Sequence, residues 1–103
     1  MENKLKYITE EGIKLFENIP FDILLKIDSF LKDLYDLLKK TVPIEDERMK
    51  DVIKNIKEFK TQYKDDKNIM DTYLRVMRDS RIGEKYNMYY RCDFDELLRV
   101  KDD

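Results

Sequence analysis

Hydrophobic positions recur every three or four residues along most of this 103-residue chain, with charged residues filling the gaps. That is the period of amphipathic helices packed against one another. The clearest stretch is 21–40, where Ile23, Leu24, Ile27, Phe30, Leu31, Leu34, Leu37 and Leu38 share one side of a helix and Tyr35 sits at its edge. At 3.6 residues per turn the arc is about 160° wide, more than the stripe of roughly 100° needed against a single neighbour. Such a helix belongs between neighbours, so 21–40 is predicted to be the central element. Asp22, Asp28 and Asp36 each precede a lysine by four residues (Lys26, Lys32, Lys40), the favourable order for ion pairs on a helix surface.

The same period predicts helices on either side. Over 9–19, Thr9 followed by Glu10 and Glu11 supplies a cap and two carboxylates for a helix N-terminus, and Ile13, Phe16 and Ile19 keep phase. Pro20 ends that helix by forcing the preceding residue out of helical geometry. Residues 4–8 either extend it backwards or form a short strand. After the turn Thr41-Val42-Pro43, Met49, Val52, Ile53, Ile56, Phe59 and Tyr63 predict a helix over 44–64, and Met70, Tyr73, Leu74 and Met77 another over 69–80. Gly83 is placed to terminate the latter in a left-handed conformation.

Beyond Gly83 the period shortens. Tyr86, Met88, Tyr90 and Cys92 alternate with Asn87, Tyr89 and Arg91, which reads as a strand over 86–92 with 4–8 as its only partner. Asp93 stands three residues before Glu96, the spacing of a capping box, with Phe94, Leu97 and Leu98 facing inward on a last short helix. The predicted fold is a single all-α domain, a compact bundle of four main helices plus a short C-terminal helix, with a two-stranded ribbon of 4–8 and 86–92 as its one departure.

Composition supports a folded chain. Charged residues make up 43% and hydrophobic ones 42%, and seven Tyr and five Phe supply bulk that a disordered chain lacks. This length can bury one core without metal or disulfide. The chain has no Ala, although Ala is the best helix former; with its wealth of Lys, Asn, Ile, Asp and Tyr this suggests a gene under AT-rich codon bias, as in an AT-rich bacterium or its phage. No apolar run approaches the ~20 residues of a membrane helix. The opening Met1-Glu2-Asn3-Lys4-Leu5-Lys6 lacks the apolar core of a signal peptide, and a single cysteine suits a reducing compartment, so cytoplasmic residence and no membrane partner are expected.

Candidate chemistry is sparse. There is no His, which closes imidazole base, nucleophile and ligand chemistry, and Cys92 is alone, so no thiolate cage, disulfide or redox pair can form within the chain. The two glycines, Gly12 and Gly83, cannot make a phosphate cradle, and no segment matches a calcium loop. The densest acidic cluster, Asp93, Asp95 and Glu96, is better explained as a helix cap. Cys92 beside Arg91 lacks a base and is expected to be buried and inert. No enzyme, cofactor or metal is expected; a hydrolase or transferase built only on Asp, Glu, Lys and Tyr is the remote alternative.

The charges are unevenly distributed. Thirteen of fifteen lysines precede position 68, whereas five of six arginines follow it. Within 73–91, five basic residues outnumber two acidic ones and stand among Tyr73, Tyr86, Tyr89, Tyr90, Met77 and Met88. Arg, Tyr and Met are enriched in interface cores, which makes Arg75, Arg78, Arg81, Lys85, Tyr86, Tyr89, Tyr90 and Arg91 the candidate partner-binding residues. The plainer alternative places Tyr73 and Met77 in the core and leaves the arginines solvated. A second candidate is a stripe of Lys50, Lys54, Lys57, Lys60 and Lys64 opposite the apolar face of the third helix, suited to phosphates or an acidic partner. The net charge of −2 gives no global attraction to nucleic acid.

These features favour a non-catalytic protein-binding module, an inhibitor or adaptor of the kind a phage or mobile element uses against a host enzyme, including a nucleic-acid-guided defence complex. A nucleic-acid-binding accessory subunit, gripping phosphates with the lysine stripe and bases with the Arg/Tyr stretch, is the alternative. Residues 92–103, with five acids against Arg99 and Lys101, either mask the basic stretch or, if Phe94, Leu97 and Leu98 are buried, complete the core. The structural role is the expectation, since three apolar residues at helical spacing outweigh weak surface pairing.

Overall fold

Nineteen residues of the chain, Phe21–Lys39, form the helix on which the others assemble, here α1. The computed structural model describes Ile8 and residues 19–99. After α1 come α2 (Glu47–Tyr63), α3 (Lys67–Asp79), α4 (Ile82–Tyr90) and α5 (Phe94–Leu98), with no strand among the described residues. The architecture is the expected all-α bundle of about four main helices with a short C-terminal one. Its composition differs in one place: α4 occupies the stretch read as a strand. The helix expected over 9–19 and the ribbon partner 4–8 lie outside the described residues, apart from Ile8 and Ile19, both of which are buried.

α1 is central because its buried residues, from Ile23 to Leu38, cover about half its circumference. It packs against α2, α3 and α4, and α5 closes over α2 and α4. Asp28 belongs to this buried arc, not to the expected surface pair with Lys32. Its carboxylate accepts a hydrogen bond from the Ile8 backbone N–H at 3.1 Å, which answers the cost of burying a charge.

Aspartates open three of the other helices. The Asp46 carboxylate accepts from the Arg48 N–H, Asp66 from Ile69 N–H, and Asp93 from Asp95 N–H, each satisfying a donor that helix geometry leaves free. Thus α2 begins three residues later than expected and α3 two residues earlier, because the caps are Asp46 and Asp66. Phe59 on α2 joins three elements. Its ring meets Phe30 of α1 edge-on with centroids 5.5 Å apart, and contacts Tyr63 at 4.9 Å and Tyr73 of α3 at 5.5 Å.

The helix ends turn without glycine. Thr41 follows α1 with φ 53°, and Thr41 N–H and Val42 N–H donate to the carbonyls of Leu38 and Leu37 at 3.0 Å, the two bonds of a Schellman motif. Arg81 (φ 61°) makes the corner between α3 and α4, and Arg91 (φ 56°) the exit from α4. The terminator of α3 is therefore Arg81 and not Gly83. Gly83 is the second residue of α4, and its missing side chain serves packing: a Cβ there would lie 2.8 Å from Cδ2 of the Phe94 ring. Phe94, Leu97 and Leu98 are all buried, so α5 completes the core.

Two stability predictions follow from these contacts. Gly83→Ala is expected to destabilise the fold by about 1–3 kcal/mol through overpacking, and Phe94→Leu in the same chain to recover part of that loss; a double-mutant cycle by urea denaturation reads both. Thr41→Gly is expected to stabilise by about 1 kcal/mol, because a β-branched residue in the left-handed region is strained by more than the extra freedom glycine has when unfolded. A rise in the urea midpoint at constant m-value is the measurement.

Candidate functional site

The candidate partner-binding residues separate into three groups. Arg75 and Arg78 lie on the outer face of α3, opposite its buried residues, where Asp71 and Asp79 are exposed beside them. Arg81, Lys85, Tyr89 and Arg91 are exposed on or at the ends of α4. Tyr86 is buried at 4% exposure, its ring 5.0 Å from both Tyr90 and Phe94, and so is removed from the surface set. The reason is the period. As a strand, 86–92 would put Tyr86 and Met88 on one face; as a helix it turns them about 200° apart. Met88, which the alternation grouped with Tyr86, is instead 77% exposed.

Tyr89 and Tyr90 have both a structural and a surface side. The Tyr89 hydroxyl donates to the Thr41 carbonyl at 2.6 Å, and the Tyr90 hydroxyl to the Val42 carbonyl at 2.7 Å. These bonds draw the turn after α1, with exposed Lys39 and Lys40, against the end of α4. The surface there comprises Met88, the 45%-exposed Tyr89 ring, and the exposed cations Lys85, Arg91 and Lys40. Across the turn, the Arg48 guanidinium holds the Asp46 carboxyl below the usual carboxylate range by direct hydrogen bonds at 3.0 and 3.2 Å.

The lysine stripe runs from the side of α2 opposite its buried residues, at Lys50 and Lys54, round to its flank at Lys60 and Lys64. It overlooks two adjoining hollows of about 630 and 760 Å³ that share Ile53, Lys57 and Thr61. Lys60 is half-buried and structural: its ammonium donates to the Leu97 carbonyl at 2.5 Å and the Arg99 carbonyl at 2.9 Å, fastening the end of α5 to α2. Lys50, Lys54, Lys57 and Lys64 are exposed. Cys92 is exposed in the wall of the larger hollow, contrary to its expected burial, because α4 ends at Tyr90 and the left-handed Arg91 carries the next residue into a loop. Its thiol donates to the Tyr90 carbonyl at 3.3 Å.

Among the described residues, no group of three or more His, Cys, Asp or Glu is arranged to hold a metal ion. None of their helices is long and apolar enough to cross a membrane. The chain matches no family model, no curated protein and no solved structure.

Two buried phenols make stability depend on alkaline pH. Burial, with smaller contributions from Cys92 and Tyr90, pushes Tyr86 up to about 12 from its ordinary 10.0. Burial also raises Tyr73, whose hydroxyl has no hydrogen-bond partner among the described residues. Well below pH 10 both phenols are protonated in folded and unfolded chains alike, and their contribution to stability does not change with pH. Above it the unfolded chain releases protons that the folded one retains, so stability falls as pH rises toward 12. Melting temperature followed from pH 8 to 12 by circular dichroism is expected to show this fall, and Tyr73→Phe with Tyr86→Phe to flatten it. Tyr73→Phe alone is expected to stabilise by about 1 kcal/mol at neutral pH, because it removes a buried hydroxyl without a partner.

Proposed function

We propose that this protein is a non-catalytic binding module, an inhibitor or adaptor that covers a surface of a partner protein with α4. The observation that carries this reading is the outer side of α4: Met88 and Tyr89 are large apolar side chains left open to solvent, bordered by Lys85, Arg81 and Arg91. A folded monomer gains nothing by exposing them. An interface does gain, since Met adapts its shape to a partner and the Tyr89 ring supplies a large contact area. The surrounding cations favour a partner surface that is acidic at its edge.

Rigidity supports the same reading. The Tyr89 and Tyr90 hydroxyls tether α4 to the turn after α1, so the exposed ring is held in place before a partner arrives, which lowers the ordering cost of binding. The absence of His and the lone Cys weigh against catalysis, and a surface-covering protein requires neither.

The test is capture of a partner from a lysate of the source cells. Wild type is expected to retain one, and Lys85→Glu with Met88→Asp to lose at least 90% of it with an unchanged melting temperature. Lys26→Glu with Lys32→Glu, on exposed positions of α1, is expected to keep it. Equal retention by the α4 variant would sink the reading.

A further inference from the structure

The hollows beside α2 form one trough, because both are lined by Ile53, Lys57 and Thr61. Of the aliphatic side chains that line it, Ile53 of α2 is half-buried and open to contact, whereas Leu97 of α5 is buried. Its walls are unequally charged: the lining residues include six cations and three carboxylates, and Glu96 is already paired with Arg99 at 3.1 Å. Lys60 serves the α5 carbonyls and is not available in the same way, which leaves Lys54, Lys57 and Lys64 as exposed ammonium groups along one edge, with Lys50 at its end 3.9 Å from Glu47. From Lys50 to Lys64 the edge is about 21 Å long, the length of about four helical turns.

We infer that this trough is a second docking site, distinct from the α4 surface, and that its occupant is an acidic amphipathic helix of a partner protein. The occupant's apolar stripe lies on Ile53 and the aliphatic stems of the neighbouring lysines, and its carboxylates face the lysine edge. A helix-in-groove contact of this kind is anchored by apolar side chains and registered by charge. Nucleic acid fits less well. Asp93 and Glu58 stand in the walls against a phosphate backbone, and the floor offers aliphatic side chains where bases need open rings, Tyr86 being buried.

Cys92, the only cysteine and exposed in the wall, provides the readout. The rate of its alkylation by N-ethylmaleimide, an uncharged reagent, is measured with three probes: a 15-residue synthetic helix of Leu and Glu, the same helix with Lys in place of Glu, and a 20-nucleotide oligothymidylate. The acidic helix is expected to slow alkylation at least fivefold, the basic helix and the oligonucleotide not at all. Protection is expected to vanish in 0.5 M NaCl and in Lys57→Gln with Lys64→Gln, and to persist in Lys85→Glu with Met88→Asp. That last variant separates this site from the α4 surface, since each can fail without the other. No protection by the acidic helix, equal protection by the basic one, protection by the oligonucleotide, or protection indifferent to salt would each overturn the inference.

Discussion

Left-handed turns without glycine are the constraint on which this structure depends. Thr41, Arg81 and Arg91 each carry a positive φ that an L side chain adopts at a cost, and each turn is held by polar groups beside it. At the first, Tyr89 and Tyr90 donate to the carbonyls of Thr41 and Val42. At the second, the Tyr35 hydroxyl donates to the Ser80 carbonyl at 2.7 Å, while the Ser80 hydroxyl donates to Met77 O. At the third, Phe94 N–H donates to the Asn87 side chain at 2.6 Å. In two of these turns the holding tyrosines come from a different helix, so local backbone geometry and long-range packing are secured by the same side chains.

A chain without alanine and with two glycines must also build its core differently. Small residues normally let helices approach closely; here large rings fill the space between α1, α2 and α3, with Phe59 touching Phe30 of α1 and Tyr73 of α3. The bulk is polar at its tips. Tyr35, Tyr89 and Tyr90 use theirs on backbone carbonyls, whereas the Tyr73 hydroxyl goes unanswered within the core. A tight approach is made at Gly83, where the Phe94 ring lies so close that a Cβ would stand 2.8 Å from its Cδ2.

Helical periodicity made α1, α2 and α3 legible, since apolar and aromatic residues recur at helical spacing over more than three turns in each. Burial of Phe94, Leu97 and Leu98 followed from the same logic. α4 was not legible, because tyrosines at successive positions satisfy an alternating pattern as readily as a helical one. What decides between them is tertiary: Tyr86 has Phe94 to pack on, and Tyr89 and Tyr90 have carbonyls to reach only if the segment is helical. Of the candidate surface, the basic residues were visible in sequence and proved exposed, Lys60 excepted. Met88 carried no signal beyond its type. Lys60 could not be separated from its neighbours because its partners, the carbonyls of Leu97 and Arg99, lie at the other end of the chain's second half.

The placement of Phe94 has a consequence for how the protein is made. A five-residue helix is too short to persist without its docking site, so α5 has order only where α2 and α4 already stand. Synthesis runs from N- to C-terminus, so α2 and α4 are made before Phe94, the residue that covers Gly83 and the Tyr86 ring. Until α5 docks, the apolar surface that Phe94, Leu97 and Leu98 cover between α2 and α4 stays open, so closing this part of the core is a late, long-range step of folding.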